Sequence, residues 1–70
     1  MLKKILITGC SGFLGHHIMK EFSDTKDWYV IGVDKRPLPT NHWFPRKFIQ
    51  SDVRDLGFRD INGIDTIVHL

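Results

Sequence analysis

The sequence predicts an α/β fold built on a four-stranded parallel sheet, and three observations carry that expectation. Apolar runs of strand length recur at Ile5-Leu6-Ile7, Tyr29-Val30-Ile31-Gly32-Val33, Phe48-Ile49-Gln50 and Ile64-Asp65-Thr66-Ile67-Val68-His69-Leu70. Strands buried on both faces of a parallel sheet read as near-continuous runs of this kind. Between the first two lies a segment in which Leu14, Ile18 and Phe22 recur every four residues with Met19 beside them, one face of an amphipathic helix. Glycines and prolines punctuate the rest, so strands and connections alternate along the chain.

The turn from the first strand into the helix is Thr8-Gly9-Cys10-Ser11-Gly12-Phe13-Leu14-Gly15, with its glycines three residues apart. Gly9 allows a sharp exit from the strand, Gly12 a close approach of backbone to a phosphate, and Gly15 close packing of the helix on the sheet. The helix N-terminus then aims unsatisfied N–H groups at an anion. Asp34 ends the second strand nineteen residues after Gly15, where a carboxylate accepts hydrogen bonds from an adenosine ribose. A bare tight turn would leave that acid unexplained. A nucleoside-triphosphate P-loop needs Gly-Lys-Ser/Thr at the helix start, and Gly15 is followed by His16 and His17, which rules it out.

Downstream, Pro37, Pro39 and Pro45 exclude a regular helix across residues 35–47, leaving an extended crossover over the sheet. Asp52 reads as an N-cap with Asp55 in the first turn. Gly57 and Gly63 bracket a short, poor helix. Right-handed crossovers then give the spatial strand order 3-2-1-4, with one main helix and ligand at the carboxyl ends of strands one and four, where the winding reverses.

Composition narrows the function classes. The net charge of +2 is carried by scattered basic residues, a solvated surface rather than a nucleic-acid face. Trp43 and Phe44 beside Arg46 read as core or interface contacts rather than a stacking patch. Met1–Ile7 opens like an export signal and Ile7-Thr8-Gly9-Cys10 like a lipoprotein box, but the apolar stretch falls short of the roughly 7–15 residues a signal needs. No run approaches the ~20 apolar residues of a membrane span. The expected setting is cytoplasmic, with neither nucleic acid nor membrane as partner. Cys10 is the sole cysteine. It reads as loop filler, the alternative being a thiol of lowered pKa at the helix start. His16 and His17 read as helix surface and core edge rather than ligands, because no other His, Cys or acid stands at metal spacing from them.

Four segments together resemble the N-terminus of the extended short-chain dehydrogenase/reductase family, the NAD-dependent sugar-nucleotide epimerases and dehydratases. They are Thr8-Gly9-x-x-Gly12-x-x-Gly15, Val33-Asp34, Ser51-Asp52-Val53-Arg54-Asp55 and Asp65-Thr66-Ile67-Val68-His69-Leu70, in the family's order and spacing across essentially the whole chain. The resemblance implies a partial Rossmann fold in which residues 1–70 form the N-terminal half of an NAD(P)-binding domain, with catalytic and substrate regions absent. It implies that backbone N–H groups of Gly12, Phe13 and Leu14 bind the pyrophosphate and that Asp34 holds the adenine ribose. It further implies that Asp52 accepts from the adenine amino group beside the Val53 backbone, and that Leu70 begins the segment lining the cofactor. For Asp34 a turn role, and for Asp52 a capping role, are the alternatives. NAD is expected over NADP, since Asp34 repels a 2′-phosphate, although Lys35 and Arg36 oppose that preference. The family's Tyr-x-x-x-Lys pair is missing: the only tyrosine, Tyr29, is followed four residues later by Val33. No catalytic residue is therefore assigned, and the chain alone is expected to show no turnover. The competing reading is a stand-alone dinucleotide-binding or partner-binding module without catalysis. A core this small, with one sheet face thinly covered, predicts marginal stability and a need for the rest of the fold or a second copy as partner.

Overall fold

The computed structural model describes residues 2–40 and 45–70. Four strands, β1 (Lys3–Thr8), β2 (Trp28–Asp34), β3 (Lys47–Gln50) and β4 (Thr66–Val68), form one sheet in the order β3-β2-β1-β4. Every neighbouring pair is parallel. This is the expected order, and the four carboxyl ends consequently share one edge of the sheet. Between β1 and β2 runs α1 (Phe13–Ser23), and between β3 and β4 run a single 3-10 turn (Val53–Asp55) and the short α2 (Phe58–Ile61).

The sheet is closed on both faces at its centre. Side chains alternate across a strand, so Ile5, Ile7 and Val30 meet Cys10 and Met19 on the α1 face, while Leu6, Ile31 and Val33 meet Tyr29, Ile49, Leu56 and Ile64 on the other. The expectation of one thinly covered face fails there: Leu6 and Val33 are each 1% exposed. The thin parts are the margins. In β4 both Thr66 and Ile67 are exposed, and β3 is at best half-buried.

One helix expectation and one strand expectation need correction. Leu14 is not on the core face of α1 but 60% exposed. Steps of four residues drift by roughly 40° each around a helix. The face that packs is Gly15, Ile18, Met19 and Phe22, with Leu14 turned away. The last apolar run is likewise shorter as a strand than its composition predicts. Ile64 and Asp65 are held before β4 by Ile64 N–H on Ile61 O and by a reciprocal pair, Asp65 N–H on Lys4 O at 2.9 Å and Lys4 N–H on Asp65 Oδ2 at 2.7 Å. His69 and Leu70 leave the ladder toward Thr8.

The crossover from β2 to β3 contains no helix among its described residues, as the prolines require, and Leu38 anchors it on the α1 face. Trp43 and Phe44 lie outside the described residues; Arg46 stands 6.0 Å over the Tyr29 ring. No described helix is long and apolar enough to cross a membrane.

Candidate functional site

The glycine turn is built from the end of β1 outward. Gly9 has φ of 72°, a left-handed conformation in which a Cβ is strained. Its N–H and that of Cys10 both donate to Val33 O, at 2.8 and 3.3 Å, so the turn is bolted to β2. Gly12 N–H donates back to Gly9 O at 3.2 Å, and Gly12 then serves as N-cap of α1 with no side-chain cap. The first N–H groups of the helix, from Phe13 and Leu14, thus lack the side-chain acceptor that usually satisfies such donors.

Of the three glycines, Gly15 does different work from that expected. A Cβ on Gly15 would strike Gly9 O and lie 2.7 Å from Cys10 Cα. Gly15 therefore lets the helix close on the turn itself, not on the sheet. Close helix-to-sheet packing belongs instead to Gly32, a residue the sequence reading did not single out. A Cβ there would lie 2.8 Å from Cys10 Sγ and 3.0 Å from Met19 Sδ. A Cβ on Gly12 would meet nothing nearer than Gly9 O at 3.5 Å, so no protein atom requires a glycine there.

Asp34 is 7% exposed and fixed from two sides. Oδ2 accepts from Ser11 N–H at 3.0 Å, tying the end of β2 to the glycine turn, and Oδ1 accepts from Arg36 N–H at 2.9 Å. Arg36 Nε lies 3.5 Å from the same Oδ1. Burial opposes ionisation, but the two backbone N–H bonds and the Arg36 guanidinium outweigh it and hold the carboxyl below its ordinary pKa. The turn role and the site position thus coincide in one residue. Cys10 goes the other way: burial first, and the Asp34 charge second, push its thiol up to about 11. The lowered-pKa alternative for Cys10 is overturned, and its fully buried side chain is core.

Asp52 caps the 3-10 turn as expected, with Oδ1 accepting from Arg54 N–H at 2.9 Å. The Arg54 side chain also forks onto it, Nε to Oδ1 at 3.1 Å and Nη2 to Oδ2 at 2.8 Å. These bonds hold Asp52 well below the usual carboxylate range. At the end of β4, Thr8 Oγ1 accepts from Leu70 N–H at 3.2 Å and stands 2.9 Å from His69 Nδ1. Leu70 thereby comes to rest against Gly9, where a Cβ on the glycine would be 3.4 Å from Leu70 Cβ.

An open cavity of about 190 Å³ lies at the carboxyl ends of the strands, lined by Gly9, Asp34, Asp52, Val53 and Leu70 among the expected residues. It extends past the ends of β1 and β4 to those of β2 and β3. Its volume is below the ~300 Å³ of a complete small-molecule pocket, so it suits part of a larger ligand. Thr8, Lys35, Ser51 and His69 also line it. Their signal was their position directly flanking a strand end or an expected site residue. Gly12, Phe13, Leu14 and Gly15 are not in this cavity; Phe13, like Leu14, turns its side chain to solvent at 80% exposure. His17 stacks edge-on against Phe13 at 4.5 Å. No metal-binding group of side chains occurs among the described residues.

Comparison with known proteins adds three findings. A family model described as the NAD dependent epimerase/dehydratase family matches residues 5–70. An uncharacterized UDP-glucose epimerase, YtcB of Bacillus subtilis (strain 168), is 32% identical over 80 aligned positions, covering 96% of this chain and 25% of that protein. Two solved structures superpose on 96% of the chain. MoeE5 in complex with UDP-glucuronic acid and NAD gives a TM-score of 0.79 at 32% identity, with 22% of its length covered. The UDP-glucuronic acid 4-epimerase from Bacillus cereus in complex with NAD gives 0.77 at 25% identity, with 26% covered. The chain spans about a quarter of the length of these relatives.

Proposed function

Because the chain belongs to the NAD-dependent epimerase/dehydratase family, we propose that it forms the part of such an enzyme that holds the adenosine and diphosphate portion of NAD. Residues 1–70 act in this reading as the N-terminal half of the dinucleotide-binding domain, and the whole protein acts on a nucleotide sugar or a similar substrate. One observation carries the proposal. Gly9, Asp34, Asp52 and Leu70, dispersed along the whole sequence, converge on one cavity at the strand ends, beside a helix start that no side chain caps.

The donors and acceptors fit the ligand. The N–H groups of Phe13 and Leu14 would meet the diphosphate, with Gly12 leaving room for it; the Gly12 N–H is already used by Gly9 O. Asp34, kept ionised and aimed by Ser11 and Arg36, would accept from the ribose hydroxyls. Asp52 would accept from the adenine amino group through lone pairs that Arg54 leaves open, with Val53 as the wall of the adenine slot. When bound, NAD would supply hydride-transfer chemistry at its nicotinamide end. This chain's residues contribute binding and orientation to that chemistry, not proton transfer. Tyr29 sits in the amino-terminal half of β2, with Lys4 and Arg46 each 6.0 Å over its ring, away from the cavity. Calorimetry tests the proposal. The purified protein is expected to bind NAD, and Gly12→Val to lose that binding while keeping its fold. Undiminished binding by the variant would overturn the diphosphate assignment.

A further inference from the structure

The amino-terminal ends of the strands hold a second cavity that the dinucleotide reading does not use. β1 and β2 start in register at Lys3 and Trp28. Leu2 and Trp28, which line this cavity, therefore lie a full strand away from Gly9 and Asp34. Its volume is about 450 Å³, within the ~300–1,000 Å³ of a complete small-molecule pocket. The cavity at the carboxyl ends holds about 190 Å³, and the two share no lining residue. Val30, 1% exposed, forms the floor. Trp28 is a wall set in place by the edge-on Phe22 ring at 5.2 Å and by Lys3 Nζ 5.9 Å over its face.

The polar lining divides by charge. Lys26 and Arg46 supply two cations, and among the described residues no acid lines the cavity. Neither cation pairs with a carboxylate among the described residues. Arg46 stands at 6.0 Å over the Tyr29 ring, a loose contact. The hydroxyls are already committed as donors, Ser23 Oγ to Met19 O at 2.6 Å and Thr25 Oγ1 to Phe22 O at 3.0 Å. They offer the cavity acceptor lone pairs only. They also stand at the carboxyl end of α1, where the helix dipole repels an anion and attracts a donor. An occupant must then present an apolar body to Trp28, Val30 and Leu2 and an acidic group to the two cations. We propose that this cavity is a binding site for a small aromatic acid, a planar ring bearing a carboxylate. The carboxylate lies on Lys26 and Arg46, and the ring lies on Trp28. A hydroxyl or amine on the ring would donate to Ser23 or Thr25. Burial of the ring supplies affinity, and the charge-assisted bonds select for the anion. This site and the adenosine site do not depend on one another.

The test uses a matched pair of probes, 2-naphthoate and its uncharged counterpart 2-naphthamide. Each is titrated into the purified protein, with and without NAD, while amide and indole chemical shifts are followed. The acid is expected to bind with a Kd of about 1 mM or tighter, the scale of a ligand this small. The largest shifts should fall on Leu2, Thr25, Lys26, Trp28 and Arg46, whether or not NAD is present. The amide should bind about tenfold more weakly, the scale of a lost charge-assisted hydrogen bond. Lys26→Gln and Arg46→Gln, confirmed as folded by melting curves, should each weaken the acid by about tenfold and the amide by less than about twofold. Lys20→Gln, outside the cavity, should change neither. Absence of saturable shifts at these residues overturns the proposal. So does equal binding of acid and amide by the parent, displacement of the acid by NAD, or variants that leave the acid's affinity unchanged. Movement of the same resonances with protein concentration alone, with a dimer in sedimentation, assigns the cavity to a second copy and overturns it as well.

Discussion

The centre of the sheet and its β4 margin are made from similar sequence and behave differently. Ile5-Leu6-Ile7 and Ile67-Val68 are both apolar, and they pair directly, Leu6 with Ile67 and Ile7 with Val68. Yet Leu6 is 1% exposed and Ile67 is 54% exposed. The difference is what lies above and below. β1 has β2 and β4 at its sides, α1 over one face and Leu56 and Ile64 under the other. β4 has one neighbour among the described strands and three residues of ladder. Apolar composition therefore measures readiness to be buried, and burial itself is set by neighbours. For the site this means an uneven foundation. The glycine turn and Asp34 stand on the closed centre, whereas Leu70 stands on the margin and is held by the Thr8 hydroxyl.

The contrast can be broken first at the turn. Gly15→Val is expected to destabilise the protein by about 3 kcal/mol or more, since the new atoms fall on backbone that cannot step aside. Gly12→Val, three residues earlier, should cost far less stability and act on binding. Equal urea midpoints for the two variants would contradict this division. Next comes packing: Met19→Ala, in the closed centre, should cost about 2–5 kcal/mol. Ile67→Ala, on the margin, should cost about 0.5 kcal/mol or less. Denaturant curves giving the two changes the same cost would remove the distinction between centre and margin.

A smaller effect is expected from acid. Asp34 has its pKa lowered below the ordinary 3.8 by the fold. Its contribution to stability is thus fully present above that value and is lost as pH falls through the lower folded-state value. Melting temperatures measured from neutral pH down to about pH 3 should fall at the acid end in the parent and fall less steeply in Asp34→Asn, which starts lower. Parallel curves would mean that the Ser11 and Arg36 bonds do not stabilise the ionised form.

Much of the fold and of the candidate site's local geometry was legible because it rests on local rules. Proline placement excluded a helix in the crossover, Asp52 announced a cap, and crossover handedness fixed the strand order. What escaped the sequence were contacts between distant segments. Gly32 looks like any residue of a strand until Cys10 and Met19 are seen resting on it. Leu14 fits a four-residue step, but Gly15 supplies the actual contact. Cys10 reads as loop filler, or as a thiol of lowered pKa at a helix start, until Gly32, Met19 and the β1 side chains enclose it. His69 and Leu70 extend an apolar run, and only the hydroxyl of Thr8, more than sixty residues earlier, turns them out of the ladder.

The central claim is that an adenine dinucleotide sits at the carboxyl ends of β1, β2 and β3, and amide chemical shifts mapped during a titration with NAD test it most directly. The account predicts that the largest shifts fall on Gly9, Gly12 to Gly15, Asp34 and Val53, with Trp28, Tyr29 and Ile61 unmoved. Shifts centred on Trp28 and Tyr29 at the opposite end of the strands, or none at saturating NAD, would contradict it.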